Sequence, residues 1–212
     1  MLKSAALSIC ELELLEHIAA KQDAAAPGVR LSNDADLTQL LSQQGTAAKT
    51  ARSLLKDSVH PVRAVLFDKS PDKNWSLGWH QDRTIVVKKR IETECFGPWS
   101  VKRGLHHVEP PFEIFSSMVT LRIHLDDVDK NNAPLLIAAG SHVHKKVQIE
   151  KIEQVVSEHE VHSCLASRGD IWAYKTPIIH ASEASASNKS RRVLQVDFCN
   201  HHLPNGLQWY GV

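Results

Sequence analysis

The spacing of apolar positions changes once along the chain. Up to about residue 58 it is helical. In 9–21, "ICELELLEHIAAK", Leu12, Leu14, Leu15, Ile18 and Ala19 fall close to one stripe, which predicts an amphipathic helix. Residues 24–34 surround Pro27-Gly28 and read as a loop. A second helix is expected after Ser32 or Asp34, either of which offers a capping oxygen, with Gly45 as its stop. Residues 46–58, "TAAKTARSLLKDS", make a third helical candidate that ends before Pro61.

Beyond residue 59 the pattern becomes that of strands. "PVRAVLFDK" (61–69) and "TIVVKKRIE" (84–92) are rich in β-branched and aromatic residues. In "FSSMVTLRIHLDD" (115–127), Leu121, Ile123 and Leu125 alternate with Thr120, Arg122 and His124. Further strands are expected in "LLIAAGS" (135–141), "IWAYKTPIIHAS" (171–182) and "RRVLQVDFCNHH" (191–202). Residues 96–111 read as irregular, and 151–164 fit helix or loop equally. Short strands separated by turns, with no helices between them, imply an antiparallel sandwich or barrel and not a βαβ sheet. The expected fold is mainly β (α+β): a double-stranded β-helix, or jelly roll, with N-terminal helices packed on one sheet. A single domain over 1–212 is expected, with a helical part at 1–58 and the jelly-roll core at 59–212.

Composition narrows the function. A net charge of +1 over 212 residues gives no reason to expect a nucleic acid or membrane partner. No apolar run approaches the roughly 18 residues of a membrane span. Glu11 and Glu13 interrupt the opening apolar stretch, so a cytoplasmic protein is expected. Cys10, Cys95, Cys164 and Cys199 form no C-x-x-C pair and read as free thiols, buried as small hydrophobes.

The chain holds 13 His. A His-x-Asp pair can bind one metal ion when both side chains lie on one face of a strand. The sequence holds two, His80-Gln81-Asp82 in "WHQDR" and His124-Leu125-Asp126, plus His107-Val108-Glu109. Chance alone yields about 0.7 His-x-Asp pairs at this composition, so the motif by itself decides little. His124 and Asp126 lead into the turn "VDKNN" and read as structural. Two His and one carboxylate leave open positions on an ion, as in non-haem Fe(II) oxygenases. Where 2-oxoglutarate is the co-substrate, its far carboxylate calls for an Arg fork about ten to twelve residues after the distal His. His180 is followed at that spacing by Arg191 and Arg192.

Five ordered segments carry a family resemblance: "NWSLGWHQD", "FGPWSVKRGLHHVEPP", "LRIHLDDVDKNNAPLLIAAGSH", "RGDIWAYKTPIIHAS" and "RRVLQVDF". Together, over about residues 61–198, the chain resembles the phytanoyl-CoA dioxygenase family of Fe(II)/2-oxoglutarate oxygenases. The resemblance implies His80, Asp82 and His180 as Fe(II) ligands and catalytic centre, and Arg191 as the 2-oxoglutarate residue with Arg192 as fallback. It also implies Lys69, Trp75 and Thr120 as candidate pocket residues, with Trp79 or Trp172 in the walls. The expected activity is hydroxylation of a small-molecule substrate with O₂. Halogenating relatives have a small residue where Asp82 stands. Ala133 and Ala139 replace the Gly and Pro usual in relatives. The competing expectation is a cupin-like metal-binding jelly roll with another reaction or no turnover.

Overall fold

The structure is a computed structural model and describes residues 1–23 and 26–212. In chain order the elements are β1 (Leu2–Lys3), α1 (Ile9–Ala20), β2 (Gly28–Leu31), α2 (Ala35–Leu40), α3 (Thr46–Leu55), β3 (His60–Lys69), β4 (Leu77–His80) and β5 (Ile85–Val87). There follow β6 (Trp99–Lys102), β7 (Leu105–Val108), α4 (Phe112–Ser116), β8 (Met118–His124), β9 (Leu135–Ala138), α5 (Ile152–Ser157), β10 (Val161–Cys164), β11 (Ile171–Lys175), β12 (His180–Ser182) and β13 (Arg191–Cys199).

Local chemistry sets the helices. Ser8 caps α1 in a reciprocal box with Glu11, whose carboxylate receives the Ser8 N–H at 3.0 Å while the Glu11 N–H reaches Ser8 Oγ at 3.2 Å. The same carboxylate accepts the Thr46 N–H at 2.9 Å. That supplies an anion to the N-terminus of α3, where Gly45 has no side chain to cap with. Asp34, not Ser32, caps α2. Gly45 therefore begins α3 as well as following α2. A Cβ there would lie 2.3 Å from the Leu40 carbonyl, so the turn between the helices requires glycine.

Two main sheets face one another. The larger has the order β1-β11-β8-β13-β3-β2 and the smaller β10-β9-β12-β4, with antiparallel pairing throughout. The alternation in β8 separates two environments. Leu121, Ile123 and Leu125 pack outward under Leu12, Leu15 and Ile18 of α1 and Ala47, Ala48 and Ala51 of α3. Thr120, Arg122 and His124 point the other way, into the roll, and are buried as well. Each fully covered Leu or Ile contributes roughly 1.5–3 kcal/mol, so the helices anchor the sheet from outside and leave its inner face free for polar groups. This is the jelly roll with helices on one sheet that the strand pattern implied.

Several local expectations need correction. The stretch before residue 58 is not purely helical, since β1 and β2 join opposite edges of the large sheet. Of the loop expected over 24–34, residues 24 and 25 lie outside the described residues and Gly28–Leu31 is a strand pairing with β3. The strand expected over 84–92 stops at Val87, where its pairing with β7 ends against His106. The segment 96–111, expected to be irregular, holds the hairpin β6–β7, which pairs with β5 in a third sheet. Its turn, Arg103-Gly104, has φ of +50° and +76°, the doubly left-handed geometry that suits two-residue hairpin loops. The strand expected from residue 115 begins at Met118, after α4, and 151–164 contains both α5 and β10.

Candidate metal centre

His80 ends β4 and His180 opens β12, and the strand register sets them directly opposite one another. Their ring centroids are 4.2 Å apart. His80 Nδ1 lies 2.8 Å from the Gly78 carbonyl and His180 Nδ1 2.9 Å from the Ile178 carbonyl. A carbonyl only accepts, so each Nδ1 carries the proton and each Nε2 presents a lone pair. Such backbone contacts hold metal-binding imidazoles in one tautomer and orientation.

Asp82 lies beyond the end of β4, so shared strand geometry does not bring it in as the sequence suggested. The residue between does. Gln81 is buried, its amide donates to the Pro177 carbonyl at 2.9 Å, and its oxygen accepts the Val147 N–H at 3.1 Å. With Gln81 held outward, His80 and Asp82 both turn inward. One ligand atom from each of His80, Asp82 and His180 lies within 4.8 Å of the others. Two neutral imidazoles and a carboxylate fit a divalent metal with N/O preference.

The electrostatics agree with that use. Burial would raise the Asp82 carboxyl, but Arg63, with its Nη2 at 3.3 Å, then His180 and His80 hold it below the usual carboxylate range. Burial pushes His180 down to about 4, so the ring is neutral near pH 7. Arg63 also lies 2.8 Å from Asp197. It bridges the half-buried Asp82 and the buried Asp197, and sequence reasoning did not single it out.

The pocket in front of this set has a volume of about 140 Å³. Phe67, Trp75, Leu77 and Leu135 make apolar walls, while Arg191, Arg122 and Gln195 supply polar ones. Arg191 opens β13 opposite Lys69 and is only 3% exposed. Its Nη1 donates to the Ala133 carbonyl, Nε has no partner among the described residues, and no carboxylate pairs with it. Burial, then Arg122, pushes its guanidinium down to about 9. Arg192 is on the other face, where Nε and Nη2 hold Asp126 at 3.0 and 2.7 Å. Asp126 of the second His-x-Asp pair is thus an ion-pair partner, and His124 a buried ring on the inner face of β8.

The other expected pocket residues divide. Trp75 lines the pocket. Lys69 lies behind it, fully buried, donating to the Trp75 and Glu183 carbonyls at 2.7 Å each. Thr120 binds Asp197 at 2.9 Å and does not reach the pocket. Trp79 packs beside α5, and Trp172 gives its N–H to Leu165, so neither is a wall. Cys10 and Cys95 are exposed, not buried. Arg122 and Gln195 were missed. Arg122 donates to Gln195 at 2.9 Å and lies 5.6 Å over the Phe67 ring. The period-2 alternation of β8 and β13 was the available signal for both.

Comparisons with known proteins bear on this centre. The chain is similar in structure to AviO1 from Streptomyces viridochromogenes Tue57, at 18% identity and a TM-score of 0.65, over 94% of this chain and 89% of that one. It is similar to EctD from S. alaskensis, solved with 2-oxoglutarate and 5-hydroxyectoine, at 16% identity and a TM-score of 0.67, over 100% and 75% of the two chains. A third is the non-heme alpha-ketoglutarate-dependent epimerase SnoN from nogalamycin biosynthesis, at 13% identity and a TM-score of 0.66, over 94% and 77%. At such identities the likeness speaks for the fold. None of the curated proteins matches the sequence. The sequence profile of Phytanoyl-CoA dioxygenase (PhyH) matches residues 12–193, most of the chain. The chain therefore belongs to the phytanoyl-CoA dioxygenase family, oxygenases that depend on Fe(II) and 2-oxoglutarate.

Proposed function

We propose that the chain hydroxylates a small organic substrate with O₂ and 2-oxoglutarate, using Fe(II) held by His80, Asp82 and His180. The observation that carries this reading is the convergence of two Nε2 lone pairs and a carboxylate beside a buried Arg191 that no carboxylate pairs with. Bound there, iron would couple O₂ activation to oxidative decarboxylation of 2-oxoglutarate.

The protein's own groups orient and shield. Gly78 and Ile178 keep the imidazoles in the metal-binding tautomer, and Arg63 keeps Asp82 ionised. Arg191 receives the far carboxylate of the co-substrate as a charge-assisted pair at the buried side of the pocket. Phe67, Trp75 and Leu77 keep water from the reacting atoms. We read 59–212 as the catalytic core and 1–58 as its helical support within one domain. Free thiols at all four cysteines suit a reducing compartment such as the cytoplasm. Among the described residues no helix is long and apolar enough to cross a membrane. A cupin-like protein without 2-oxoglutarate has no use for a buried cation at Arg191, so that alternative loses ground.

Anaerobic titration of the Fe(II)-loaded protein with 2-oxoglutarate tests the reading. A weak visible charge-transfer band, lost in His80→Ala, is expected. Iron binding without the band would overturn the co-substrate assignment. Product analysis then separates hydroxylation from outcomes such as epimerisation.

A further inference from the structure

The pocket at the candidate metal centre is too small for two organic molecules. Its 140 Å³ falls below the roughly 300–1,000 Å³ of sites that take drug-sized ligands. A second cavity of about 410 Å³ adjoins it, and Phe67 and Trp75 are walls of both. This outer groove runs between the inner face of β2–β3 and the β6–β7 hairpin.

Its charge is one-sided. Arg30, Lys102, Arg103 and His107 line it, and no carboxylate does among the described residues. Arg30 Nη1 is buried without a hydrogen-bond partner among the described residues. The nearby carboxylate of Asp197 is already taken, by Arg63 at 2.8 Å and Thr120 at 2.9 Å. Burial, then Arg63, lowers the Arg30 guanidinium, and the raising effects of Asp197 and Tyr210 do not offset them. The hairpin pairing Lys102 with Leu105 holds Lys102 and Arg103 at the open side.

We propose that this groove binds the prime substrate, and that the substrate is an organic anion whose carboxylate or phosphate is held by Arg30 with Lys102 and Arg103. The less polar part of the molecule runs along Phe67 and Trp75, the walls common to both cavities, toward His80, Asp82 and His180. The strand register links the two spaces. Arg30 faces Val65, and Val65 faces Gln195, which lines the inner pocket. Two strand spacings are about 10 Å, so the backbone carrying Arg30 lies about that far from the backbone that carries Gln195. This assignment rests on the co-substrate reading above, because it assumes that 2-oxoglutarate fills the inner pocket.

The test is equilibrium binding of phenyl phosphate and benzoate to the full chain, with benzyl alcohol and benzamide as uncharged counterparts. Each is titrated with and without saturating 2-oxoglutarate, and 2-oxoglutarate binding is measured separately. The anions are expected to bind at least tenfold more tightly than the neutral pair. That advantage should fall tenfold or more in Arg30→Gln and in Lys102→Glu/Arg103→Glu. The hairpin variant alters exposed residues, so it stays informative even where Arg30→Gln disturbs folding. The tighter of the two anions identifies the headgroup. Equal binding of anions and neutral compounds, or unchanged anion affinity in the folded hairpin variant, would overturn the assignment. Competition between the anions and 2-oxoglutarate would do so as well, because it would place them at Arg191. If 2-oxoglutarate itself fails to bind while the anions bind and respond to the substitutions, the co-substrate reading fails and the groove stands.

Discussion

Replacing Arg191 by Gln should separate binding from stability. In the folded chain Arg191 is a buried cation with no anion beside it among the described residues, its pKa pushed from the ordinary 12.5 to about 9. At about 1.36 kcal/mol for each tenfold change in proton affinity, holding that charge costs the ligand-free protein up to about 5 kcal/mol. Gln removes the charge and also loses the donor to Ala133, which gives back about 1 kcal/mol. The variant without ligand should therefore be at least as stable as the wild type. Its 2-oxoglutarate affinity should collapse. Truncating one partner of a buried charge pair costs roughly 2–5 kcal/mol, or about one and a half to three and a half decades in Kd. Arg192→Gln is the control. It breaks only the half-exposed pair with Asp126, so stability should fall by about 1 kcal/mol or less. Co-substrate affinity should then change little. Anaerobic calorimetry with 2-oxoglutarate and thermal melts with and without it measure both effects. Near-normal binding in Arg191→Gln, or a loss seen only in Arg192→Gln, would refute the reasoning.

Three further outcomes are expected. Asp82→Ala should lower Fe(II) affinity and abolish 2-oxoglutarate turnover, while leaving Asp197 paired with Arg63; metal titration and succinate release check this. His124 is depressed from 6.5 to about 3, by burial first and then by Arg122 and Arg191. The unfolded chain thus takes up this proton before the folded one, and stability present above about pH 6.5 is lost as pH falls toward 3, at about 1.4 kcal/mol per pH unit. Denaturant melts between pH 6 and 5, above most carboxylate titration, should show a shallower slope in His124→Leu. Ala133 sits at φ +48°, in the left-handed region that favours glycine. Relief of about 1–2 kcal/mol of strain is offset by the added freedom of the unfolded chain and by the loss of a buried methyl, about 0.8 kcal/mol, so Ala133→Gly should change stability by less than about 1 kcal/mol, and a larger loss in thermal melts would contradict it.

The sequence by itself determined the helices α1 and α3 and the strand-rich pattern beyond residue 59, the pair His80 and Asp82, and the distance from His180 to the two arginines. These are local facts, carried by periodicity and spacing along one chain. It also marked the inner face of β8, since Thr120, Arg122 and His124 alternate with apolar neighbours. It did not show that both faces are buried, because a polar face looks the same whether water or a site lies against it. Only the tertiary structure told Arg191 and Arg192 apart in placement, by turning one into the roll and pairing the other with Asp126. Only the strand register set His80 against His180, residues a hundred positions apart. The hairpin β6–β7 stayed hidden for a related reason: its strands have weak alternation, and their pairing with β5 and packing against neighbouring elements hold them in place. Arg30 became a candidate for the same cause, since an unpartnered charge can be recognised only when everything that surrounds it in space is known.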